Sequence, residues 1–172
     1  IAIHMTPENG WHGYWSNPGD AGLGMQLDWT LPEGAKAGAP RYPVPQTLVV
    51  SGLMNHVYES DYAVLVPFTV PANAAPGTRV PVHLRAQWLA CTEQICVPEQ
   101  ADLAVEVPVA ATAATDRDPR FAEWQRRLPA PLDAVGTFSL DDRTVRLAIP
   151  LPANTPLDAP HVFVGEDKLI DY

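Results

Sequence analysis

The fold is decided by residues 80–109, which read VPVHLRAQWLACTEQICVPEQADLAVEVPV. Two segments of this stretch alternate apolar and polar residues with a period of two, one on each side of a cysteine pair. That periodicity predicts two half-buried β-strands joined by a short connection. The apolar positions predicted to share one face of the hairpin are Val80, Val82, Leu84, Ala86 and Trp88, followed by Ala101, Leu103, Val105, Val107 and Val109.

Cys91 and Cys96 are the only cysteines in the chain, and they flank the tip of the predicted hairpin. Two cysteines placed in this way are close enough to form a disulfide. A bridge that closes so small a loop removes only about 2 kcal/mol of unfolded-chain entropy, less than a bridge between distant strands. Because such a bridge stabilises little, its position favours a role in redox exchange. An inert structural disulfide remains an open alternative, since small secreted domains often carry one.

Zinc binding is a further alternative for the two cysteines. They would supply half of a tetrahedral site, and His83 and His56 would have to be recruited through the fold to complete it. No histidine lies between or beside the cysteines. The sequence therefore predicts neither a metal site nor a cofactor.

The charges near the cysteines indicate the direction of the redox chemistry. Residues 86–116 contain no lysine or arginine, whereas Glu93, Glu99, Asp102 and Glu106 lie on the same hairpin. Nearby carboxylates disfavour a thiolate, and a dithiol whose reduced form gains no such stabilisation tends to give electrons away. The pattern predicts a reductant of protein disulfides. A solvated face of the hairpin is the alternative explanation, and it suffices for Asp102 and Glu106.

Composition limits the class of protein. The chain has 172 residues, of which 47% are hydrophobic, so it can hold one globular domain of ordinary size and part of another. Its net charge of −9 argues against nucleic acid or an anionic membrane surface as a partner. No apolar run approaches the length that is needed to cross a bilayer.

The first part of the chain reads as an all-β domain. Nineteen prolines and eleven glycines interrupt the sequence every few residues, as short strands and turns require. Residues 22–31, 46–51 and 62–70 are further strand candidates, and no amphipathic helix lies among them. We expect residues 1–112 to form an immunoglobulin-like antiparallel β-sandwich. Four side chains are predicted to be buried between its sheets: Trp29, Phe68, Val82 and Leu84.

Residues 113–172 are expected to hold the end of a linker, a helix and the start of a second β domain that is cut off at Tyr172. The linker spans residues 110–115 and is made of small residues. Asp118 as N-cap and Pro119 in the first turn predict a helix that runs to Leu128. Residues 136–150 then predict a hairpin, and residues 161–164 predict one more strand.

Four segments of the chain resemble one protein family. They are residues 11–22 (WHGYWSNPGDAG), 28–32 (DWTLP), 42–45 (YPVP) and 88–99 (WLACTEQICVPE). Together they are similar to the amino-terminal periplasmic domain of DsbD-like thiol:disulfide interchange proteins, in particular the ScsB-type branch. The resemblance covers about residues 11–109, and the cysteine block with its flanking Trp and Pro-Glu is its most specific part.

The resemblance implies an immunoglobulin-like fold in which Cys91 and Cys96 are the redox pair. In this family the domain receives electrons from a transmembrane domain of the same protein and reduces periplasmic partners, often of the thioredoxin fold, by dithiol–disulfide exchange. It thus implies a periplasmic location as part of an inner-membrane protein. It also implies that partners attack the second cysteine, Cys96.

The chain departs from the family pattern in two respects. The best-known members have five residues between the cysteines, whereas this chain has four. Those members also cover the pair with a cap loop that carries aromatic residues. The nearest segment here, residues 50–56, lacks adjacent aromatics, so Leu53 and Met54 are the candidate shielding side chains.

Overall fold

The computed structural model of the chain describes residues 1–112, 118–158, 160–170 and 172. These residues form antiparallel strands and one short helix, which confirms the predicted all-β class. In chain order the elements are β1 (Ala2–Met5), β2 (Gly13–Gly19), β3 (Gln26–Thr30), β4 (Lys36–Ala37), β5 (Gln46–Val50), β6 (Leu53–Tyr58), β7 (Tyr62–Leu65), β8 (Phe68–Thr69), β9 (Arg79–Cys91), β10 (Cys96–Pro108), α1 (Arg120–Arg126), β11 (Thr137–Asp141) and β12 (Thr144–Ala148).

The predicted cysteine hairpin is the longest pairing in the described structure. β9 and β10 are antiparallel along their whole length, from Arg79 opposite Pro108 to Cys91 opposite Cys96. β3 pairs with the other edge of β9, which gives the sheet order β10-β9-β3. A second three-stranded sheet has the order β2-β6-β5, and the pairs β1-β7 and β4-β8 complete this part of the fold.

The core lies on the apolar face predicted for β9. Val82 and Leu84 are buried there, at 2% and 5% exposure. They are two of the four side chains predicted to be buried. Trp29 packs against the same core but is half-buried, and Phe68 is half-buried in the two-residue strand β8. The burial prediction is therefore confirmed for Val82 and Leu84 and holds only in part for Trp29 and Phe68.

β10 pairs with β9 in the expected register, but the apolar side chains predicted to share its inner face are not buried. Leu103 pairs with Leu84 and Val105 pairs with Val82, yet Leu103 is 42% exposed and Val105 is 48% exposed. β10 is the edge strand of its sheet, so it has a neighbour on one side only. Its apolar face lines a groove of about 690 Å³, together with residues of β1.

The helix α1 is shorter than the predicted one, because it begins at Arg120 and ends at Arg126. Pro119 occupies the N-cap position, while the carboxylate of Asp118 accepts the backbone N–H of Arg120 at 3.0 Å. Within the helix, Trp124 is buried against β7. No helix in the described part of the chain is long and apolar enough to cross a membrane.

The described residues divide into two compact units, one of residues 1–129 with 164–172 and one of residues 130–163. The second unit holds the hairpin of β11 and β12, which was predicted within residues 136–150. No strand forms at residues 161–164, so that prediction is wrong. The carbonyl of Val164 accepts a hydrogen bond from the side-chain amide of Asn17 at 2.8 Å instead of pairing in a ladder. A domain boundary after residue 112 stays a prediction, since residues 113–117 lie outside the described residues.

Candidate redox site

The two cysteines form a disulfide at the end of the β9–β10 hairpin. Their Cα atoms are 4.1 Å apart. Residues 92–95 close the hairpin as a tight turn, in which the Thr92 N–H donates to the Ile95 carbonyl at 2.8 Å. The Thr92 hydroxyl oxygen accepts the N–H groups of Gln94 and Ile95 at 3.1 and 3.2 Å. These hydrogen bonds fix the turn and hold the two cysteines opposite one another.

The two sulfur-bearing residues differ in accessibility. Cys91 is 0% exposed, whereas Cys96 is exposed and follows the exposed side chain of Ile95. Thiol–disulfide exchange requires an attacking thiolate to reach one sulfur directly. In this arrangement the accessible residue is Cys96.

The side chain of Cys91 is buried in an apolar cluster. Tyr14 of β2 and Val57 of β6 are buried with it, and Leu48 and Leu89 pack against the group. Gly22 leaves room for the ring of Tyr14, because a Cβ atom at Gly22 would overlap that ring. The φ angle of +99° at Gly22 also favours glycine. The sequence of β2 and the loop after it therefore shape the wall behind the disulfide.

His12 lies beside the buried cysteine. Its backbone N–H donates to the Cys91 carbonyl at 2.8 Å, and the Cys91 N–H donates to the His12 carbonyl at 3.0 Å. The His12 side chain is buried, and its Nε2 is 3.3 Å from the hydroxyl of Tyr14. Burial lowers the pKa of His12, and the negative charges of Glu59 and Glu93 partly oppose this shift. Burial also raises the pKa of Tyr14. At neutral pH this pair is therefore an uncharged imidazole next to a protonated phenol.

The structure does not bring the cap candidates together with the cysteines. β2 pairs with β6 so that Gly13 lies opposite Tyr58 and Gly19 lies opposite Asn55. The Tyr58 end of β6 is thus next to His12 and the disulfide. Met54 is four residues away along the strand, or roughly 13 Å. Its backbone N–H and carbonyl bind the side chain and the backbone of Asp20 instead, and Leu53 precedes it at the start of β6.

The two histidines that a zinc site would need are not next to the cysteines. His83 is exposed on β9, eight residues before Cys91, and the ring of His56 is bonded through Nδ1 to the Asn17 carbonyl at 3.1 Å. Among the described residues, no three His, Cys, Asp or Glu side chains are grouped so that they could hold a metal ion.

The acidic residues of the hairpin have different surroundings. Glu93 lies within the disulfide loop and is exposed. Glu99 accepts a hydrogen bond from the indole N–H of Trp88 at 3.1 Å. Asp102 lies opposite Arg85 in the register, in keeping with the solvated-face explanation. Of the four acidic residues on this hairpin, Glu93 is thus the one that lies between the two cysteines in the sequence.

The family to which the chain is related follows from comparison with known proteins. A family model described as "Thiol:disulfide interchange protein DsbD, N-terminal" matches residues 1–108. The chain belongs to this family. The resemblance noted in the sequence is thereby confirmed, and the family is one of thiol:disulfide interchange domains.

A solved structure has a similar fold. It is the crystal structure of the N-terminal periplasmic domain of ScsB from Proteus mirabilis, with a TM-score of 0.64 and 15% sequence identity. The match covers 85% of this chain and 56% of that chain. The chain thus spans little more than half the length of that structure. The immunoglobulin-like fold expected for a DsbD-type amino-terminal domain is confirmed. A search of curated proteins finds no match.

Sequence reasoning did not connect with the cysteines three residues that the structure places near the disulfide. His12 lies just before β2 and Tyr14 lies within it, two positions apart, which is the spacing of side chains that share one face of an extended segment. Glu59 follows β6 and is close enough to influence the charge of His12. His12 and Tyr14 belong to the segment that carries the family resemblance. Their spacing of two is therefore the feature of the sequence that could have pointed to them.

Proposed function

We propose that this chain is the periplasmic electron-transfer domain of a membrane thiol:disulfide interchange protein, and that it reduces the disulfides of partner proteins through Cys91 and Cys96. One observation carries the proposal. The chain's only two cysteines are bonded at the end of a hairpin, with Cys96 exposed and Cys91 buried directly opposite. Membership in a thiol:disulfide interchange family supports the same chemistry.

The exposed residue starts the exchange. In the reduced domain, the Cys96 thiolate attacks one sulfur of the partner disulfide, and the other partner sulfur leaves as a thiolate. Cys91 then attacks the sulfur of Cys96, which forms the Cys91–Cys96 bond and releases the second partner sulfur. Two electrons pass from the domain to the partner. The thiols carry these electrons themselves, so the reaction needs no cofactor.

The partners of this exchange are thioredoxin-fold proteins of the periplasm. The surface that they meet includes Ile95 next to Cys96 and the negative charge of Glu93. A transmembrane domain of the same full-length protein, anchored in the inner membrane, returns electrons to the oxidised cysteines. Cys96 is the residue that forms the mixed disulfide with the partner.

A second candidate function is a non-catalytic immunoglobulin-like binding module with a structural disulfide. The complete burial of Cys91 in an apolar cluster favours it, because buried cysteines of this kind are often inert. The two candidates differ in the stability of the disulfide toward reduction.

The reduction potential and the activity of cysteine variants test the proposal. A structural bridge has a potential below about −300 mV, whereas a relay lies nearer the value of about −270 mV that is typical of thioredoxin. The reduced chain should reduce an oxidised thioredoxin-fold protein stoichiometrically. Cys91→Ser and Cys96→Ser should stay folded in thermal melting and lose this activity, while Gln94→Ala, in the same loop, keeps it. Serine variants that remain folded and still reduce the partner would rule out the relay.

A further inference from the structure

We propose that His12 receives the proton of the Cys91 thiol when the mixed disulfide is resolved, and that the hydroxyl of Tyr14 positions its ring. The inference rests on the proposed function, since it concerns the second step of dithiol exchange at Cys91 and Cys96. It assigns a role to a buried histidine that is only 4% exposed.

The second step of the exchange requires a proton acceptor near Cys91. A thiol must become a thiolate before it can attack a disulfide. Cys91 is fully buried, and burial among apolar side chains disfavours the thiolate. Residues 86–116 contain no lysine or arginine that could stabilise it. A neutral base in contact with this part of the core would supply the missing proton acceptor.

The backbone brings His12 to the required position. His12 and Cys91 are paired antiparallel and exchange two backbone hydrogen bonds. Residues directly opposed in this way project their side chains to the same face, with Cβ atoms about 4.5–5.5 Å apart. Tyr14 is two residues further along β2, packs against Cys91 and lies 3.3 Å from the His12 Nε2. The ring of His12 thus lies against the phenol of Tyr14, on the face to which the side chain of Cys91 also projects.

The charges around His12 suit a group that accepts a proton only briefly. Its titratable neighbours are Tyr14, Cys91 and the carboxylates Glu59 and Glu93. Burial keeps the imidazole neutral at neutral pH, so one ring nitrogen has a free lone pair. Once the ring is protonated, the two carboxylates stabilise its positive charge. One carboxylate lies in the disulfide loop and the other in the turn after β6.

The proton leaves the sulfur of Cys91 and ends on the unprotonated ring nitrogen of His12. The Cys91 thiolate attacks the sulfur of Cys96, forming the intramolecular disulfide. The bond between Cys96 and the partner sulfur breaks, and its electron pair leaves with the partner thiolate. That thiolate takes a proton from solvent, and His12 returns its proton to solvent.

The experiment uses the complete reduced 172-residue chain and oxidised glutathione as the probe. Rapid acid quenching and intact-mass analysis follow the glutathione adduct on Cys96 and its resolution by Cys91. In the wild-type chain the resolving rate should be nearly level above about pH 6.5 and fall below it, as the imidazole becomes protonated. In His12→Gln the rate should drop by about 100-fold at neutral pH. As the pH is raised toward 8.5, the resolving rate of this variant should increase about tenfold per pH unit, since an unassisted thiol has a pKa near 8.5.

Matched variants separate this role from packing. Tyr14→Phe keeps the ring behind Cys91 and removes the hydroxyl, so the fall in rate at low pH should move to a different pH. His83→Gln, at an exposed histidine on the same strand as Cys91, should leave the profile as in the wild type. A His12→Gln variant that is slower but keeps the wild-type pH profile would show a packing role and overturn the inference.

A second measurement applies if His12→Gln does not fold. The ring of His12 is titrated by NMR in the wild-type chain, and its midpoint should coincide with the pH at which the resolving rate falls. A clear separation of the two midpoints overturns the inference while the proposed function stands. If the wild-type chain never reforms its disulfide with glutathione as oxidant, the proposed function itself fails, and the role of His12 fails with it.

Discussion

Cys96 lies directly opposite Cys91 in the register of the hairpin, yet Cys91 is completely buried and Cys96 is exposed. The difference arises on the other side of β9, where His12 pairs with Cys91 and Tyr14 packs over it. Cys96 has only Cys91 as its strand partner in the described structure. The fold thereby separates a cysteine that can meet another protein from one that can act only within the chain.

This difference predicts unequal alkylation of the two thiols. Cys91→Ser leaves Cys96 as the single thiol, and Cys96→Ser leaves Cys91. Iodoacetamide should modify Cys96 at least about tenfold faster in the native state, because Cys91 reacts only after local opening. Both variants should react at similar rates in denaturing urea, which serves as the control. Equal rates in the folded proteins would contradict the asymmetry of the site.

The stability of the cysteine variants should also differ. Loss of the bridge in Cys96→Ser should lower the free energy of unfolding by about 2 kcal/mol, because the closed loop is short. Cys91→Ser should lose about 1–3 kcal/mol more, since it places a hydroxyl in an apolar cluster. Urea denaturation measures both values. The total losses, about 2 kcal/mol for Cys96→Ser and about 3–5 kcal/mol for Cys91→Ser, lie at or below the lower end of the roughly 5–15 kcal/mol of a typical domain, so both variants should remain folded. Identical losses would argue against the burial of Cys91.

Gly22 should be more sensitive to substitution than Gly77, which has a similar backbone conformation. Gly22 and Gly77 have φ angles of +99° and +88°, so alanine at either position costs roughly 1–2 kcal/mol of strain. A Cβ atom at Gly22 would also overlap the ring of Tyr14, whereas a Cβ at Gly77 meets nothing within 4 Å. Gly22→Ala should therefore destabilise the chain by at least about 1 kcal/mol more than Gly77→Ala. Urea denaturation of the two variants provides the comparison.

The contact of α1 with the sandwich can be tested through Trp124. This side chain is 7% exposed and packs with Ala63 and Leu65 of β7. Trp124→Ala should cost about 3–5 kcal/mol, the usual range for a buried aromatic. Phe138→Ala, at a side chain that is 77% exposed, should change stability by less than about 0.5 kcal/mol. A small effect at Trp124 would mean that α1 belongs to the carboxyl-terminal unit, as the boundary after residue 112 predicts.

The period-two patterns of the sequence were sufficient to predict the two strands of the cysteine hairpin. Val80, Val82, Leu84 and Ala86 are buried on alternate positions of β9, as predicted. The strand candidate at residues 46–51 corresponds to β5. β9 could be recognised because one face of the strand meets the core, and the alternation of apolar and polar residues records that contact directly.

Other parts of the fold depend on contacts that a local pattern does not record. β1, β2 and β6 were not predicted as strands, and β6 instead supplied the cap candidates Leu53 and Met54. The last four residues of β6 are all buried, so that strand shows no alternation. The pairing of His12 with Cys91 joins residues far apart in the sequence and follows only from the arrangement of the sheets. For this reason the sequence could identify the cysteines but not the histidine beside them.

The lowered pKa of His12 predicts how stability depends on pH. An unfolded histidine binds a proton below about pH 6.5, whereas the folded chain keeps His12 neutral to a lower pH because the ring is buried. The stabilising contribution is therefore complete above about pH 6.5 and is lost as the pH falls toward the lowered pKa. The difference in unfolding free energy between the wild-type chain and His12→Gln should thus shrink between about pH 7.5 and 5. Asn17→Ala removes a buried polar side chain that does not titrate, so its cost should stay constant over this range. Urea denaturation at several pH values measures all three proteins, and a constant difference for His12→Gln would mean that the ring is not held neutral in the fold.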